Sequence, residues 1–185
     1  ILSSSKDEAH PEANRLYMPI RPYRPSDLPA LAAINAECVP NVSAEDEASL
    51  GRLIGMGTCL VAADHKDEPL GFINLIEPGE MRYPSDNLRW LENWMADGNT
   101  PDMIYVDRIA IGEVARNKGL GVQLYSYVFD AFAHRKMVSC EINDDPPNPG
   151  SRRFHERLGF WPVGGVRYRP GYAVQFFVVG LRSRS

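Results

Sequence analysis

One short loop of this chain has the residue types that bind a phosphate. It spans residues 116–121, reads Arg-Asn-Lys-Gly-Leu-Gly, and separates a strand-like segment from a helix-like one. Glycine has no Cβ, so a ligand can approach the backbone, and the first N–H groups of a helix lack intrahelical acceptors. Arg116 and Lys118 add two positive charges, and an arginine can hold a phosphate with two parallel hydrogen bonds. The loop therefore predicts an anion site.

Three other interpretations of this loop compete with an anion site. A P-loop needs a Lys-Ser or Lys-Thr pair at a spacing that is missing here. A dinucleotide-binding turn would begin at Gly119 and would find its ribose-binding acid in Glu141, about 20 residues beyond Gly121. Leu124 stands at the position of the third glycine, and too little chain follows for that fold. A plain glycine turn with two solvated cations stays open as an alternative.

A second motif follows the loop and gives the chain a family resemblance. In order along the sequence, the pattern is Ile109-Ala110-Ile111, then Arg116-x-x-Gly119-x-Gly121, then Asn148-x-x-Ser151-x-x-Phe154-His155-x-Arg157-x-Gly159-Phe160. This pattern resembles the GNAT superfamily of acyl-CoA N-acyltransferases, strongly over roughly residues 105–160 and more loosely before them. The extended loop at 144–150 resembles that of a bacterial subgroup of predicted acetyltransferases.

The resemblance implies that acetyl-CoA is bound along this pattern as a co-substrate, with no metal. Its pyrophosphate would contact the loop, and its pantetheine arm would lie beside the motif strand and near the second motif. The implied contacts are Ile109, Ala110, Ile111, Arg116, Asn117, Lys118, Gly119, Leu120, Gly121, Val122, Asn148, Ser151, Phe154 and Arg157. Structural alternatives exist for some: Ile109 and Ile111 as core residues, Asn148 as a helix cap, and Arg157 as a surface charge.

The implied chemistry is attack by a neutral amine on a thioester. It needs a proton acceptor, an oxyanion stabiliser and a proton for the leaving thiolate. The resemblance places Asp107 as a carboxylate acting directly or through water, and the N–H of Ile109 as the oxyanion donor. An ion pair with Arg108 is the alternative role for Asp107.

The general acid is where the sequence departs from the family. Many related enzymes have a tyrosine four residues before the Gly of the Gly-Phe pair, and His155 stands there in this chain. Imidazole titrates near neutrality, so His155 is the candidate acid, with a structural histidine as the alternative. Tyr105 and Tyr125 are further candidate acids or core aromatics.

Apolar periodicity and turn residues divide the chain into alternating elements. Strands are predicted at residues 18–21, 58–63, 70–76, 103–111, 137–142, 161–166 and 173–181. Helices are predicted at 28–38, from Ser43 to about 56, and at 87–96, 120–134 and 151–158. Ser26, Ser43, and Ser85 or Asp86 are the predicted N-caps of the first three helices.

These elements predict a fold class and a domain organisation. Residues 103–142 form a βαβ unit, whose strands should be parallel. With the resemblance, this implies an α/β (α+β) fold: a single GNAT-like domain with a mixed, mostly antiparallel, twisted sheet flanked by helices, the parallel unit carrying the CoA site. Residues 1–16 are expected to be a flexible tail and 17–185 the domain. Residues 78–102 are an insertion whose helix either packs on the sheet or forms an acceptor-pocket lid with Trp90 and Trp94.

Composition restricts the partners. The 185 residues carry 20 Lys and Arg against 24 Asp and Glu, a formal net charge of −4, which disfavours nucleic acid as a partner. The longest uncharged stretches, 53–63 and 171–181, are shorter than the ~20 residues that span a bilayer, so no membrane partner is expected. The odd number of widely separated cysteines, Cys38, Cys59 and Cys140, predicts free thiols and a cytoplasmic location.

The sequence thus predicts an acetyl-CoA-dependent N-acetyltransferase. Its acceptor would be a primary amine of a small molecule, an amino acid or a peptide. The alternative is an acyl-CoA-binding sensor or regulatory module without transfer activity. A homodimer is compatible with the sequence but not required by it.

Overall fold

Seven strands form a single sheet in the computed structural model, which describes residues 18–96 and 102–181. The predicted tail at 1–16 lies outside these residues. The strands are β1 (Ile20–Pro22), β2 (Thr58–Ala63), β3 (Pro69–Ile76), β4 (Met103–Ile111), β5 (Met137–Asp145), β6 (Trp161–Arg169) and β7 (Tyr172–Gly180). Their order is β1-β2-β3-β4-β5-β7-β6, and β4–β5 is the parallel pair in an otherwise antiparallel sheet. The mixed, mostly antiparallel sheet is confirmed.

Five helices connect the strands. They are α1 (Leu28–Cys38), α2 (Glu47–Ile54), α3 (Asp86–Met95), α4 (Leu120–Ala131) and α5 (Pro149–Arg157). The helix α4 joins β4 to β5, which confirms the predicted βαβ unit. None of the helices in the described residues is long and apolar enough to cross a membrane.

The helix starts follow the local capping chemistry, and two of them differ from the prediction. Ser85 caps α3 as predicted, its side chain accepting a hydrogen bond from the N–H of Leu88. Asp46, rather than Ser43, caps α2 by accepting from the N–H of Ser49. Ser26 lies in a 3₁₀ turn before α1 and caps nothing; Asp27 occupies the N-cap position. In α2 a carboxylate closer to the apolar run replaces the predicted serine cap, whereas the Asp27 side chain accepts from the N–H of Arg24 and makes no cap hydrogen bond to α1.

The helices cover the two faces of the sheet. Successive side chains of a strand point to opposite faces. Leu60 of β2 packs in the cluster that contains α4, whereas the next residue, Val61, packs with α1 and α2. On β4, Tyr105 packs with α3 and its neighbour Ile104 with α4. Helix α4 therefore lies on one face, and α1, α2 and α3 lie on the other.

Helix α3 of the predicted insertion packs on the sheet. Its Trp90 ring stacks on Phe176 of β7 with centroids 4.1 Å apart. Gly164 of β6 lies beneath the same indole, and a Cβ built there would come within 2.5 Å of it. Trp94 is 39% exposed. Helix α3 is therefore packed on the sheet, and residues 97–101 lie outside the described part of the chain.

Strands β4 and β5 diverge after a short parallel pairing. The pairing covers Met103–Tyr105 of β4, after which β5 continues along β7. On the other side, the N–H of Gly112 donates to the carbonyl of Leu70. Hydrogen-bonded and non-bonded pairs alternate along an antiparallel ladder, so the peptide groups of Ile109 and Ile111 face away from β3. They point toward the gap that opens beside β4.

The cysteines are free within the described residues. Cys59 and Cys140 are buried and Cys38 is half-buried. Burial raises the pKa of the Cys59 thiol to about 12 and that of Cys140 well above its ordinary value. The buried thiols therefore stay protonated at neutral pH.

Candidate active site

A cleft of about 600 Å³ opens where β4 and β5 part. It is lined by side chains from both strands, from the loop between α1 and α2, from the turn before α3, from the start of α5 and from the β6–β7 hairpin. Of the residues that the sequence predicted for catalysis or binding, Asp107, Asn148 and Ser151 line it. Trp90 and Trp94 are not among the lining residues. The part of the predicted insertion that lines the cleft is instead the turn before α3, with Tyr83, Pro84 and Ser85.

Asp107 is the best-anchored side chain of the cleft. One carboxylate oxygen accepts a hydrogen bond from the hydroxyl of Tyr83 at 2.6 Å. The other accepts from Asn74 Nδ2 at 3.1 Å and from Arg108 Nε at 2.7 Å. Only 3% of the side chain is exposed. The proposed catalytic role and the predicted ion pair with Arg108 thus coincide at one carboxylate, whose oxygens are already engaged.

Arg108 is the single guanidinium in the cleft, and four side chains surround it. Besides Asp107, its Nη1 donates to Asn35 Oδ1 at 3.0 Å and its Nη2 to Ser43 Oγ at 3.1 Å. Glu45 lies 3.7 Å from Nη2. The charge of Arg108 is therefore satisfied within the protein.

Glu141 of β5 is a functional candidate that the sequence did not identify as such. Tyr105 on β4 donates its hydroxyl proton to Glu141 Oε2 at 2.6 Å. Burial raises the pKa of Glu141 to about 7, an effect that the Tyr105 hydrogen bond partly offsets and the charge of Asp107 reinforces. A carboxylate with this pKa exchanges protons near neutrality, as a general base must.

Tyr83 connects the predicted insertion to the carboxylates. Its hydroxyl contacts Asp107, and its ring lies 6.2 Å from that of Tyr105. Burial and the neighbouring negative charge of Asp107 raise the pKa of Tyr83 well above its ordinary value. Tyr83 is therefore a neutral hydrogen-bond donor at physiological pH.

His155 lies inside the protein rather than along the cleft. Its Nδ1 is 2.8 Å from the carbonyl oxygen of Ser151, which requires a proton on Nδ1. Its Nε2 then accepts from the hydroxyl of Tyr125 at 2.8 Å. Burial lowers the pKa of His155, so the ring is neutral at pH 7. Ser151 lies between this ring and the cleft, and the acid role of His155 stays a prediction.

The glycine loop has the backbone geometry that the sequence requires. Asn117 and Gly119 have positive φ angles of 61° and 79°, and Gly119 is the N-cap of α4. The N–H of Gln123 donates to the carbonyl of Gly119 at 3.1 Å. The N–H groups of the residues between them, Leu120, Gly121 and Val122, have no acceptor within the helix. They form the positive end of the α4 dipole.

The cations of the loop contact its own framework. Arg116 Nε donates to the carbonyl of Ile111 at 3.1 Å, and Nη2 donates to the carbonyl of Glu37 at 2.9 Å. Lys118 Nζ donates to the carbonyl of Val114 at 2.6 Å. Arg116 and Lys118 are exposed. The predicted cations thus lie at the rim of the loop, with Arg116 tying the loop to the ends of β4 and α1.

The second motif holds α5 against the glycine loop. Asn148 Oδ1 accepts from the N–H of Ser151 at 3.0 Å, so the predicted capping role is present, and both residues line the cleft. Phe154 packs so closely on Gly121 that a Cβ there would lie 2.9 Å from its ring. Arg157 is exposed near the end of α5. The two motifs of the sequence therefore meet in space.

The chain matches the family model described as "Acetyltransferase (GNAT) family" over residues 12–160. No curated protein is a significant match. The structure is similar to that of Ard1 from Thermoplasma volcanium, with a TM-score of 0.68 and 16% identity over 89% of this chain and 97% of that one. It is also similar to a GNAT superfamily phosphinothricin acetyltransferase from Sinorhizobium meliloti in complex with AcCoA, with a TM-score of 0.65 and 18% identity over 89% and 88% of the two chains.

A third similar structure is the ribosomal-protein-S18-alanine N-acetyltransferase from Escherichia coli, with a TM-score of 0.64 and 16% identity over 89% of this chain and 94% of that one. At such identities the solved structures establish the fold. The family model goes further, because it spans most of the chain, including the glycine loop and the second motif as far as Phe160. The chain therefore belongs to the acetyltransferase (GNAT) family.

Proposed function

We propose that this protein is an N-acetyltransferase that moves the acetyl group of acetyl-CoA directly to a primary amine. The observation that carries the proposal is the free edge of β4, which lies between the glycine loop at one end and the carboxylates of Asp107 and Glu141 at the other. A long donor with an anionic end and a reactive thioester end fits that arrangement. The similar structure from Sinorhizobium meliloti, in complex with AcCoA, supports it.

The residues present fit acetyl-CoA along its length. The pyrophosphate would bind the helix N–H groups of Leu120, Gly121 and Val122, where an anion is favoured. The amides of the pantetheine arm would pair with the peptide groups of Ile109 and Ile111, which face away from β3. Asn148 and Ser151 line the cleft beside that edge. The groups named here are backbone N–H and C=O groups and two short polar side chains, and all of them can form hydrogen bonds with the amides and phosphates of acetyl-CoA.

The two carboxylates have different tasks, proton transfer for Glu141 and electrostatic stabilisation for Asp107. Glu141, with its pKa near 7, accepts the proton that the amine nitrogen loses as it attacks. Asp107 stays bound to Tyr83, Asn74 and Arg108 and contributes a fixed negative charge. This charge stabilises the positive character that develops on the attacking nitrogen.

The bond changes follow from this arrangement. The nitrogen lone pair forms a C–N bond to the acetyl carbon, the carbonyl π electrons move to oxygen, and the N–H of Ile109 is the donor available to that oxyanion. The oxyanion then collapses, the C–S bond breaks, and CoA leaves as a thiolate that takes a proton from solvent, while Glu141 returns the amine proton to solvent. The products are an amide and free CoA.

The test is release of free thiol from acetyl-CoA in the presence of a panel of primary amines. We expect amine-dependent thiol release together with tight acetyl-CoA binding measured by calorimetry. Binding of acetyl-CoA without thiol release for any amine would instead support the alternative of an acyl-CoA-binding sensor. The position of His155, bonded to Tyr125 and Ser151 inside the protein, is the observation that favours that alternative. Absence of acetyl-CoA binding would exclude both.

Arg116→Ala localises the donor site within the same experiment. Arg116 ties the loop to β4 and α1, so its loss should weaken acetyl-CoA binding about tenfold or more, the scale of a charge-assisted hydrogen bond. Arg24→Ala is the control, because Arg24 pairs with Asp67 instead. Equal affinity of the Arg116→Ala and wild-type proteins would remove Arg116 from the donor site.

A further inference from the structure

The charged side chains that line the cleft are mostly acidic. Four carboxylates face it, those of Glu45, Asp86, Asp107 and Glu141, against the single guanidinium of Arg108. Burial raises the pKa of Glu141 to about 7, so this carboxylate is partly charged at neutral pH. The cleft is therefore negative, and a cationic ligand is attracted to it more strongly than an anionic one.

Arg108 is not available to bind the carboxylate of an acceptor. Its Nε and Nη1 already donate to Asp107 and Asn35, and its Nη2 donates to Ser43 with Glu45 nearby. The side chain is 4% exposed. An acceptor with its own carboxylate would have to displace these contacts, and it would face the four carboxylates of the cleft as well.

The N-terminus of α3 also points into the cleft, but it does not offer an anion site. Ser85 fills the cap position by accepting from the N–H of Leu88. Asp86 follows in the first turn and places a carboxylate at the positive end of the helix. The helix end is thus compensated by a side chain of the protein.

Aromatic rings complete the wall opposite the strands. Tyr168 and Tyr172 of the β6–β7 hairpin stack with centroids 5.5 Å apart, and Tyr168 donates to Asn87 Oδ1 at 2.7 Å. The guanidinium of Arg169 lies 5.6 Å over the Tyr172 ring. Tyrosine faces attract cations. Tyr172 already contacts the Arg169 guanidinium, so the ring of Tyr168 is the one that agrees with the charge of the carboxylates.

We infer that the acceptor is a primary amine that carries a second positive charge and no carboxylate, that is, a small diamine or polyamine. The inference rests on the proposed function and names the substrate class of the same site. One nitrogen loses its proton to Glu141 and attacks the acetyl carbon. The other nitrogen stays protonated and is held by the carboxylates of Glu45 and Asp86 and the ring of Tyr168 at the cleft mouth.

The first experiment compares three amines that differ by one group. The diamine 1,5-diaminopentane and lysine differ by the α-carboxylate, and pentylamine lacks the second amine. We expect kcat/KM to be about tenfold or more higher for the diamine than for each of the other two, the scale of one ion pair in a partly desolvated site. Equal or higher kcat/KM with lysine would overturn the inference, and so would equal kcat/KM with pentylamine.

Two substitutions assign the second charge to residues. Glu45→Gln and Asp86→Asn each remove one negative charge from the cleft while preserving side-chain shape. Each should raise KM for the diamine about fivefold or more and lower the ratio of diamine to pentylamine kcat/KM by a similar factor. Glu47→Gln is the matched control, because Glu47 is exposed on the adjacent turn of α2 and does not line the cleft. Unchanged diamine KM in both cleft variants would contradict the assignment.

Direct binding separates this inference from the proposed function. Calorimetry with 1,5-diaminopentane and lysine, each added to the protein saturated with CoA, reports acceptor affinity without turnover. Tighter binding of the diamine supports the acceptor class even if no thiol is released, in which case only the transfer activity fails. Equal binding of the two amines, with thiol release intact for lysine, would leave the transferase and remove the polyamine acceptor.

Discussion

Two carboxylates of the cleft differ in their surroundings, and that difference is the basis of the separate roles proposed for them. Asp107 accepts hydrogen bonds from Asn74, Tyr83 and Arg108. Glu141 accepts from Tyr105 and is desolvated, which raises its pKa to about 7. Asp107 is thus held in place by three hydrogen-bond donors, whereas Glu141 can gain and lose a proton at physiological pH.

Replacement of the proton acceptor should abolish most of the turnover. Glu141→Gln is expected to lower kcat by about 10²–10⁴-fold, the usual contribution of a general base, with little change in acetyl-CoA affinity. In the wild-type protein kcat should rise through about pH 7 as Glu141 loses its proton, and the variant should lose this limb. Steady-state rates measured from about pH 5.5 to 8.5 test both expectations. A variant that keeps the limb would exclude Glu141 as the base.

The same substitution should change how stability depends on pH. The folded protein keeps a proton on Glu141 up to about pH 7, whereas the ordinary pKa of a glutamate is 4.5. Between these values the folded state binds more protons than the unfolded state, so the free energy of unfolding falls as pH rises. Glutamine does not titrate. The difference between the Tm of Glu141→Gln and that of the wild type, measured by calorimetry, should therefore increase between about pH 4.5 and 8. A difference that stays constant over this range would contradict the raised pKa of Glu141.

Asp107→Asn should affect both stability and turnover. The guanidinium of Arg108 is almost fully buried and would lose its ion-pair partner, at a cost of about 3 kcal/mol. Turnover should fall more than acetyl-CoA affinity, because Asp107 faces the cleft rather than the glycine loop. Denaturant unfolding and kinetics at saturating substrate test the two effects separately. Wild-type turnover in the variant would make Asp107 purely structural.

At the level of elements, helix α3 positions the side of the cleft that Tyr83 and Asp86 form. The stacking of Trp90 on Phe176 above Gly164 fixes the helix on the sheet. The turn before the helix then carries Tyr83 and Asp86 to the cleft. The helix of the insertion is thus fixed to the sheet by the packing of Trp90, and the turn before it supplies polar side chains to the cleft.

Loss of the Trp90 side chain should therefore affect stability and the acceptor together. Trp90→Ala is expected to cost about 3 kcal/mol and to raise the acceptor KM, with a smaller effect on acetyl-CoA affinity. Trp94→Ala is the matched control on the same helix, since Trp94 is 39% exposed and should cost less than about 1 kcal/mol. Equal destabilisation by the two substitutions would contradict the role given to the stack.

The elements were largely predictable, and one part of the site was not. Periodicity and turn residues predicted β2 and β4 at their observed bounds, because those runs are apolar and end at polar or glycine residues. The sequence suggests Glu141 only as the ribose-binding acid of a dinucleotide turn, and no local pattern around it indicates the proposed base. The contact of Glu141 with Tyr105 exists because β4 and β5 pair in parallel at that point. This contact depends on the tertiary structure and has no local signal in the sequence.

The placement of His155 illustrates the same limit. A position in a motif predicts which residue stands where a relative has its acid, but not where the side chain points. The ring packs edge-on against Phe154 and Phe160 and bonds to Tyr125. Local sequence around His155 is that of a polar helix, and only the packing of α5 against α4 shows that this face is internal.

At the level of the whole molecule, the donor should stabilise the fold. A ligand present at 100 times its Kd adds about 2.7 kcal/mol, which is about 5–10 °C in Tm for a domain of this size. We expect such a shift with acetyl-CoA in a thermal-shift assay. S-acetylpantetheine lacks the pyrophosphate and should give a smaller shift, because it does not reach the glycine loop. Equal shifts would contradict the assignment of that loop.

The sheet separates the helices that serve the two proposed substrates. Helix α4, whose N-terminus is the proposed donor site, lies on one face, and α1, α2 and α3, which flank the cleft, lie on the other. Donor and acceptor can then occupy the protein simultaneously, each entering from its own side of β4. The acetyl group needs no temporary covalent carrier on the protein, and the buried Cys59 and Cys140, with their raised pKa values, are poor candidates for one. We therefore expect steady-state kinetics typical of transfer within a ternary complex of the protein with both proposed substrates.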